Sequence, residues 1–152
     1  MATTWLSASE MRAWRNFIES VNIMTAAMES DLQPFGLTFG DYEVLVRLSE
    51  AEDLRMRMCD LANVLQLSPS GLTRRLDGLV STGLVERVAN PSDRRVMFAA
   101  LTSKGHAKLA EAAPDHVASV RKRFFKGLTR DQIQELGNVF ETVRTNLSAC
   151  PR

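Results

Sequence analysis

The stretch LSPSGLTRRLDGLVSTGLVERVANPSDRRVMFAALT, Leu67 to Thr102, decides the fold. Ser68 is a good helix N-cap, and Pro69 takes the first helical position, where its missing N–H costs nothing. Leu72, Leu76, Leu79 and Val80 then recur on one helical face, and Gly83 suits the left-handed residue that closes a helix. Strand propensity rises at Leu84 to Ala89 and again at Val96 to Leu101. Polar Asn90 to Arg95 lies between these runs, so they read as a hairpin.

Helices flank this unit on both sides. Ser7 and Glu10 form a capping box, and Met11, Trp14, Ile18, Val21, the polar Thr25, Met28 and Leu32 follow at alternating three and four spacing until Pro34-Phe35-Gly36. Thr38 caps a second helix carrying Tyr42, Leu45, Val46 and Leu48, and a charged connection, Glu50 to Arg57, leads to a short helix around Asp60 to Leu65. Helix, helix, helix, hairpin is the order of a winged helix. After it, Thr102-Ser103 opens a helix through Leu109, Val117, Val120 and Phe124, with a kink predicted near Pro114 and a break at Gly127. Thr129 and Gln132 form another capping box, and Ile133, Leu136, Phe140, Val143 and Leu147 complete the chain's last stripe.

The predicted fold is therefore mainly α with a small two- or three-stranded antiparallel wing, a winged helix-turn-helix with long terminal helices. Residues 1–152 read as one domain, with 38–101 as the winged-helix module and 7–34 and 103–148 as dimerisation helices. Two long apolar seams exceed what one such module needs. They predict a homodimer through Met11, Ile18, Ile133, Leu136, Phe140, Val143 and Leu147.

Composition sets the outer bounds. A chain of 152 residues, 45% hydrophobic and 24% charged, can build a core without metal or disulfide staples. The longest apolar run is Val96 to Leu101, too short for a membrane, and no export signal is predicted at the N-terminus. Cys59 and Cys150 have no close partner in sequence and suit a reducing cytoplasm. The net charge of +1 is segregated: residues 1–51 hold 3 basic against 7 acidic side chains, 52–104 hold 8 against 6, and 105–152 hold 8 against 5. Contact with nucleic acid must then come from local clusters.

The helix after Ser68 supplies one. With its leucines on one face, Ser70, Gly71, Thr73, Arg74, Arg75 and Asp77 lie on the others, and Ser, Thr and Arg near a helix N-terminus suit base edges in a major groove. Ser68 and Ser70 also stand at the helix's positive end, which favours a phosphate. A solvated amphipathic helix has the same pattern; the hairpin that follows favours the double-stranded DNA reading.

The ordered set Leu67–Asp77, Gly83-Leu84-Val85-Glu86-Arg87, Asn90–Arg95 and Leu101-Thr102-Ser103-Lys104-Gly105 resembles the MarR family, the multiple antibiotic resistance regulators. The resemblance implies a cytoplasmic homodimeric transcription factor with intertwined terminal helices, often a repressor released from a pseudo-palindromic operator by a small anionic aromatic ligand. It also implies that Arg95 of Asp93-Arg94-Arg95 enters the minor groove while Asp93 pairs with it and holds the loop. Gly78 stands where the family is often basic, and Val96 where it usually has glycine, which predicts an altered wing turn.

Other chemistry is poorly supported. His106, His116, Cys59 and Cys150 lack the spacing of a helical metal site, His116 points away from neighbouring Asp115, and no nucleophile or phosphate-loop motif occurs, so neither an enzyme nor a cofactor is predicted. Cys59 near a helix N-terminus reads as a small core residue or, alternatively, as a redox switch. Trp14, Arg15, Ile18, Phe39, Tyr42 and His116 could line an aromatic cleft with one cation, although core packing explains most of them equally well. A third reading is a winged-helix module that meets protein instead of DNA.

Overall fold

Leu32, Val44, Leu45, Leu48, Leu61, Leu72, Leu76 and Val85 are the largest side chains withdrawn entirely from water in a computed structural model of the chain. They come from five elements, and each contributes about 1.5–3 kcal/mol on burial, an upper figure because unfolded chains are partly compact. The described residues are 4–93 and 95–149, so Arg94 and Cys150, both singled out above, lie outside them.

The elements run α1 (Ala8–Leu32), α2 (Phe39–Ser49), β1 (Arg55–Arg57), α3 (Met58–Val64), α4 (Pro69–Ser81), β2 (Val85–Ala89), β3 (Met97–Leu101), α5 (Ser103–Val120) and α6 (Arg130–Ala149). This is the expected mainly helical winged helix, and its sheet has three antiparallel strands in the order β1-β3-β2. The register pairs Met56 with Ala99 and Arg87 with Ala99 on either side of the central strand. β1 falls inside the stretch read as a charged connection. Three residues with two arginines carry no alternation to recognise; Arg55 is fixed by its pairing with Ala100 and by lying over the Phe98 ring, 5.3 Å from its centroid.

The predicted caps form. Ser7 N–H donates to Glu10 Oε2 at 2.7 Å and Glu10 N–H to Ser7 Oγ at 3.3 Å; Thr38 and Asp41 make the same reciprocal pair at 3.1 and 3.0 Å. Gly83, at φ 73°, closes α4: its N–H reaches the Val80 carbonyl and that of Leu84 the Leu79 carbonyl, both at 2.9 Å. The turn between α3 and α4 uses the same bonds with a non-glycine, Gln66 at φ 54°.

The wing returns to α4 through Thr102, whose hydroxyl donates to the Gly83 carbonyl at 2.8 Å and accepts from the Gly105 N–H at 2.9 Å. Gly105 is buried because α5 passes so close that a Cβ there would meet the Leu84 carbonyl oxygen at 2.0 Å. Pro114 sits inside an uninterrupted α5, and the irregularity falls later, as a wide π turn over Arg121–Phe125 before Gly127 at φ 89°.

Two compact units result, one ending at Val117 and one beginning at Ala118. In the second, Thr129 and Gln132 cap α6 reciprocally at 2.9 and 3.2 Å. Ile133, Phe140, Val143 and Leu147 are exposed, with Leu136 half-buried. α1 in the first unit is buried only at Met28 and Leu32; Met11 is half-buried and Trp14, Phe17, Ile18, Val21 and Ile23 are exposed.

Candidate nucleic-acid interface

α4 turns Leu72, Leu76 and Leu79 into the core and presents the rest of its surface outward. The Ser68 hydroxyl is committed to the cap, accepting from the Gly71 N–H at 3.1 Å, and lies 3.2 Å from Ser70 Oγ. Thr73 donates its hydroxyl to the Pro69 carbonyl at 2.9 Å. That proton is spent within the helix, so the Thr73 hydroxyl faces a partner only as an acceptor beside its methyl. Gly71 keeps the first turn slim, since a Cβ would come within 3.1 Å of Ser68 Oγ.

The two adjacent arginines part company. Arg74 is exposed, while Arg75 is half-buried, its guanidinium lying against Gly40 of α2. Opposite, Arg87 on β2 reaches back to the helix: one nitrogen, Nη2, donates to Asp77 Oδ1 at 2.7 Å and to the Thr73 carbonyl at 3.2 Å. Sequence patterning singled out neither the Asp77–Arg87 pair nor the Gly40–Arg75 contact. The first links consecutive elements across a turn and the second joins α2 to α4, and no periodicity records such meetings.

The wing loop is folded by Asn90 and Asp93. Ser92 N–H donates to Asn90 Oδ1 at 2.9 Å, Arg95 N–H to Asp93 Oδ1 at 3.0 Å, and Val96 N–H to the Asp93 carbonyl at 2.9 Å. Asp93 thus holds the loop through the backbone of Arg95 and not through its guanidinium. No ion pair among the described residues engages Arg95 or Arg74. Val96, in place of the expected glycine, still closes the loop, its carbonyl accepting from Asn90 at 2.9 Å.

A capped helix with one exposed arginine, followed by a wing with another, is the arrangement of a DNA reader. Residues 37–97 match the MarR family. AbsC, a MarR family transcriptional regulator from Streptomyces coelicolor, is 42% identical in sequence, with a TM-score of 0.92 over 97% of this chain and 100% of that one. The chain belongs to the MarR family.

Two further MarR relatives bear on function. Sco3205 from Streptomyces coelicolor, solved in complex with DNA, is 35% identical with a TM-score of 0.90, covering 96% of this chain and 92% of that one. YetL of Bacillus subtilis, an HTH-type transcriptional repressor, is 26% identical over 139 residues, 90% of this chain and 83% of the relative. The family is one of DNA-binding transcriptional regulators.

Of the six residues predicted to line a ligand cleft, the chain brings three together. The His116 ring lies 4.5 Å from Tyr42 and 6.4 Å from Phe39, centroid to centroid. Its Nδ1 is buried without a hydrogen-bond partner; burial lowers its pKa, and the Asp31 carboxylate works in the opposite direction. Trp14, Arg15 and Ile18 do not join them within one chain, because at 1.5 Å per residue Trp14 lies about 25 Å along α1 from Asp31.

Cys59 is exposed, which overturns its reading as a core residue. Its thiol donates to Asp60 Oδ1 at 3.7 Å, and it opens on a cleft of about 420 Å³ at the wing root with Arg57, Arg95 and Met97. Among the described residues no group of histidine, cysteine and carboxylates could hold a metal ion, and no helix is long and apolar enough to cross a membrane.

Proposed function

We propose that the protein is a homodimeric cytoplasmic repressor, without catalytic activity, that grips a pseudo-palindromic operator through α4 and the wing. The observation that carries this reading is the sorting of arginines: Arg75 and Arg87 are engaged with the fold, while Arg74 and Arg95 are exposed where a duplex would lie. Arg74 reads a base edge, Ser70 and Thr73 contact its surroundings, and Arg95 enters the minor groove. The DNA complex of Sco3205 and the repressor YetL support the assignment.

The exposed stripes of α1 and α6 support the dimer, since an apolar seam of that length gains from a second copy. A two-fold axis then requires half-sites about 10 base pairs apart. Release follows when a small aromatic anion occupies the junction of Phe39, Tyr42 and His116, where the unpartnered Nδ1 would gain a polar group. Trp14, Arg15 and Ile18 reach that seat only from a second copy's α1. A second reading, switching by oxidation of Cys59, is favoured by its exposure in the cleft that also holds Arg95.

The test is a salt titration of binding to selected and to random duplexes. Arg95→Ala should weaken both and lower the slope of log affinity against log salt by about one unit. Salicylate, added to the wild-type titration, should weaken binding to the selected duplex. An unchanged slope in the variant removes the wing from the interface, and unchanged affinity with salicylate removes the effector.

A further inference from the structure

Arg75 is the one recognition-helix arginine whose surroundings are unlike those of a DNA contact. A Cβ built on Gly40 would fall 1.1 Å from Arg75 Nη1, 2.2 Å from Cζ and 2.7 Å from Nη2. The guanidinium therefore occupies the space over α2 that the missing side chain leaves open. Gly40 takes an ordinary helical conformation, so backbone freedom does not explain a glycine there. In a helix glycine is inferior to alanine, and the seat for Arg75 is what the molecule has in exchange.

The seat is a firm one. Residues 38–41 are fixed by the Thr38–Asp41 capping box, and the Phe39 N–H donates to Glu29 Oε2 of α1 at 2.8 Å. Phe39 and Tyr42 pack on His116 of α5. On its other flank α4 is held by Arg87, through Asp77 and the Thr73 carbonyl. One arginine thus ties the reading helix to the wing and another ties it to α2, with Arg74 left between them.

We propose that Arg75 is a positioning residue that registers the recognition helix on the first turn of α2 through Gly40, and that it does not itself read DNA. This rests on the operator-binding function proposed above and names the residue that sets the angle at which Arg74 meets a base. The guanidinium is the mobile end of a long side chain, so alanine at position 40 would evict it without unfolding the protein.

The experiment is a double-mutant cycle of Gly40→Ala and Arg75→Ala, read by operator affinity, by base preference at each operator position, and by melting temperature. Each single variant should lower operator affinity about tenfold, and the double variant should be no weaker than either, since both remove one contact. Melting should move upward on adding Gly40→Ala to Arg75→Ala, where only helix propensity remains to act. Arg75→Lys, which keeps the charge but not the planar fork, should behave as Arg75→Ala does. Additive losses in the cycle, or loss in Arg75→Ala of preference at a base pair that Arg74→Ala leaves unchanged, would make Arg75 a DNA contact and overturn the proposal. The melting cycle needs no DNA. A wild-type protein that selects no operator would therefore fail the proposed function while the seat on Gly40 is still tested.

Discussion

The winged-helix lobe and the terminal helices are built from the same kind of amphipathic helix, yet only the lobe completes itself. The apolar stripe of α4 is spent inside the chain, with Leu72, Leu76 and Leu79 buried, Asp77 tied to Arg87 and Ser68 to its cap. The stripe of α6 has the same spacing and leaves Ile133, Phe140, Val143 and Leu147 exposed, and the N-terminal two-thirds of α1 does likewise. Spacing alone tells which residues share a face. What covers that face depends on partners elsewhere in the chain, or in another copy of it.

The largest expected effect lies at the exposed stripe of α6. Phe140→Glu with Val143→Glu should weaken self-association at least about a hundredfold, because each apolar side chain is worth about 1.5–3 kcal/mol when buried and a two-fold axis counts it twice. Sedimentation at micromolar concentration should then find single chains, or aggregates, for the variant and dimers for wild type. A wild-type mass of one chain would rule out a second copy as the cover of these helices.

The smallest effect lies in the lobe, at His116. Burial lowers the pKa of this imidazole below its ordinary value of about 6.5, so the folded state binds the proton less readily than the unfolded chain. The sign follows directly: the contribution to stability is full above pH 6.5 or so and is lost as the pH falls from there through the depressed folded value. His116→Phe should flatten the dependence of the melting temperature on pH between about 7 and 5. An equally steep dependence in the variant would assign the effect to other groups.

Local grammar was legible in the sequence and cross-chain chemistry was not. The caps at Ser7, Thr38, Ser68, Gly83 and Thr129 each involve residues three to five apart, and each stands where its residue type predicts. β1 was missed because three residues pair by proximity to β3, and Gln66 because a left-handed glutamine gives no signal of its own. At the interface, Arg74 and Arg75 are neighbours with one chemistry, and sequence could not say which is available. Only the approach of α2, with glycine at position 40, separates them. Cys59, exposed where a core residue was expected, was misread because a seven-residue helix carries too little periodicity to fix its inward face.

The proposed function requires that α4 read DNA through Arg74 within a two-fold assembly. The direct measurement is selection of bound duplexes from a random pool by wild type and by Arg74→Ala. Wild type should enrich a pseudo-palindrome with half-sites about 10 base pairs apart. The variant should enrich the same arrangement with one position in each half-site degenerate, a loss of about 1–3 kcal/mol of discrimination there. Enrichment of no common sequence by wild type, or an identical operator from both proteins, would contradict the claim.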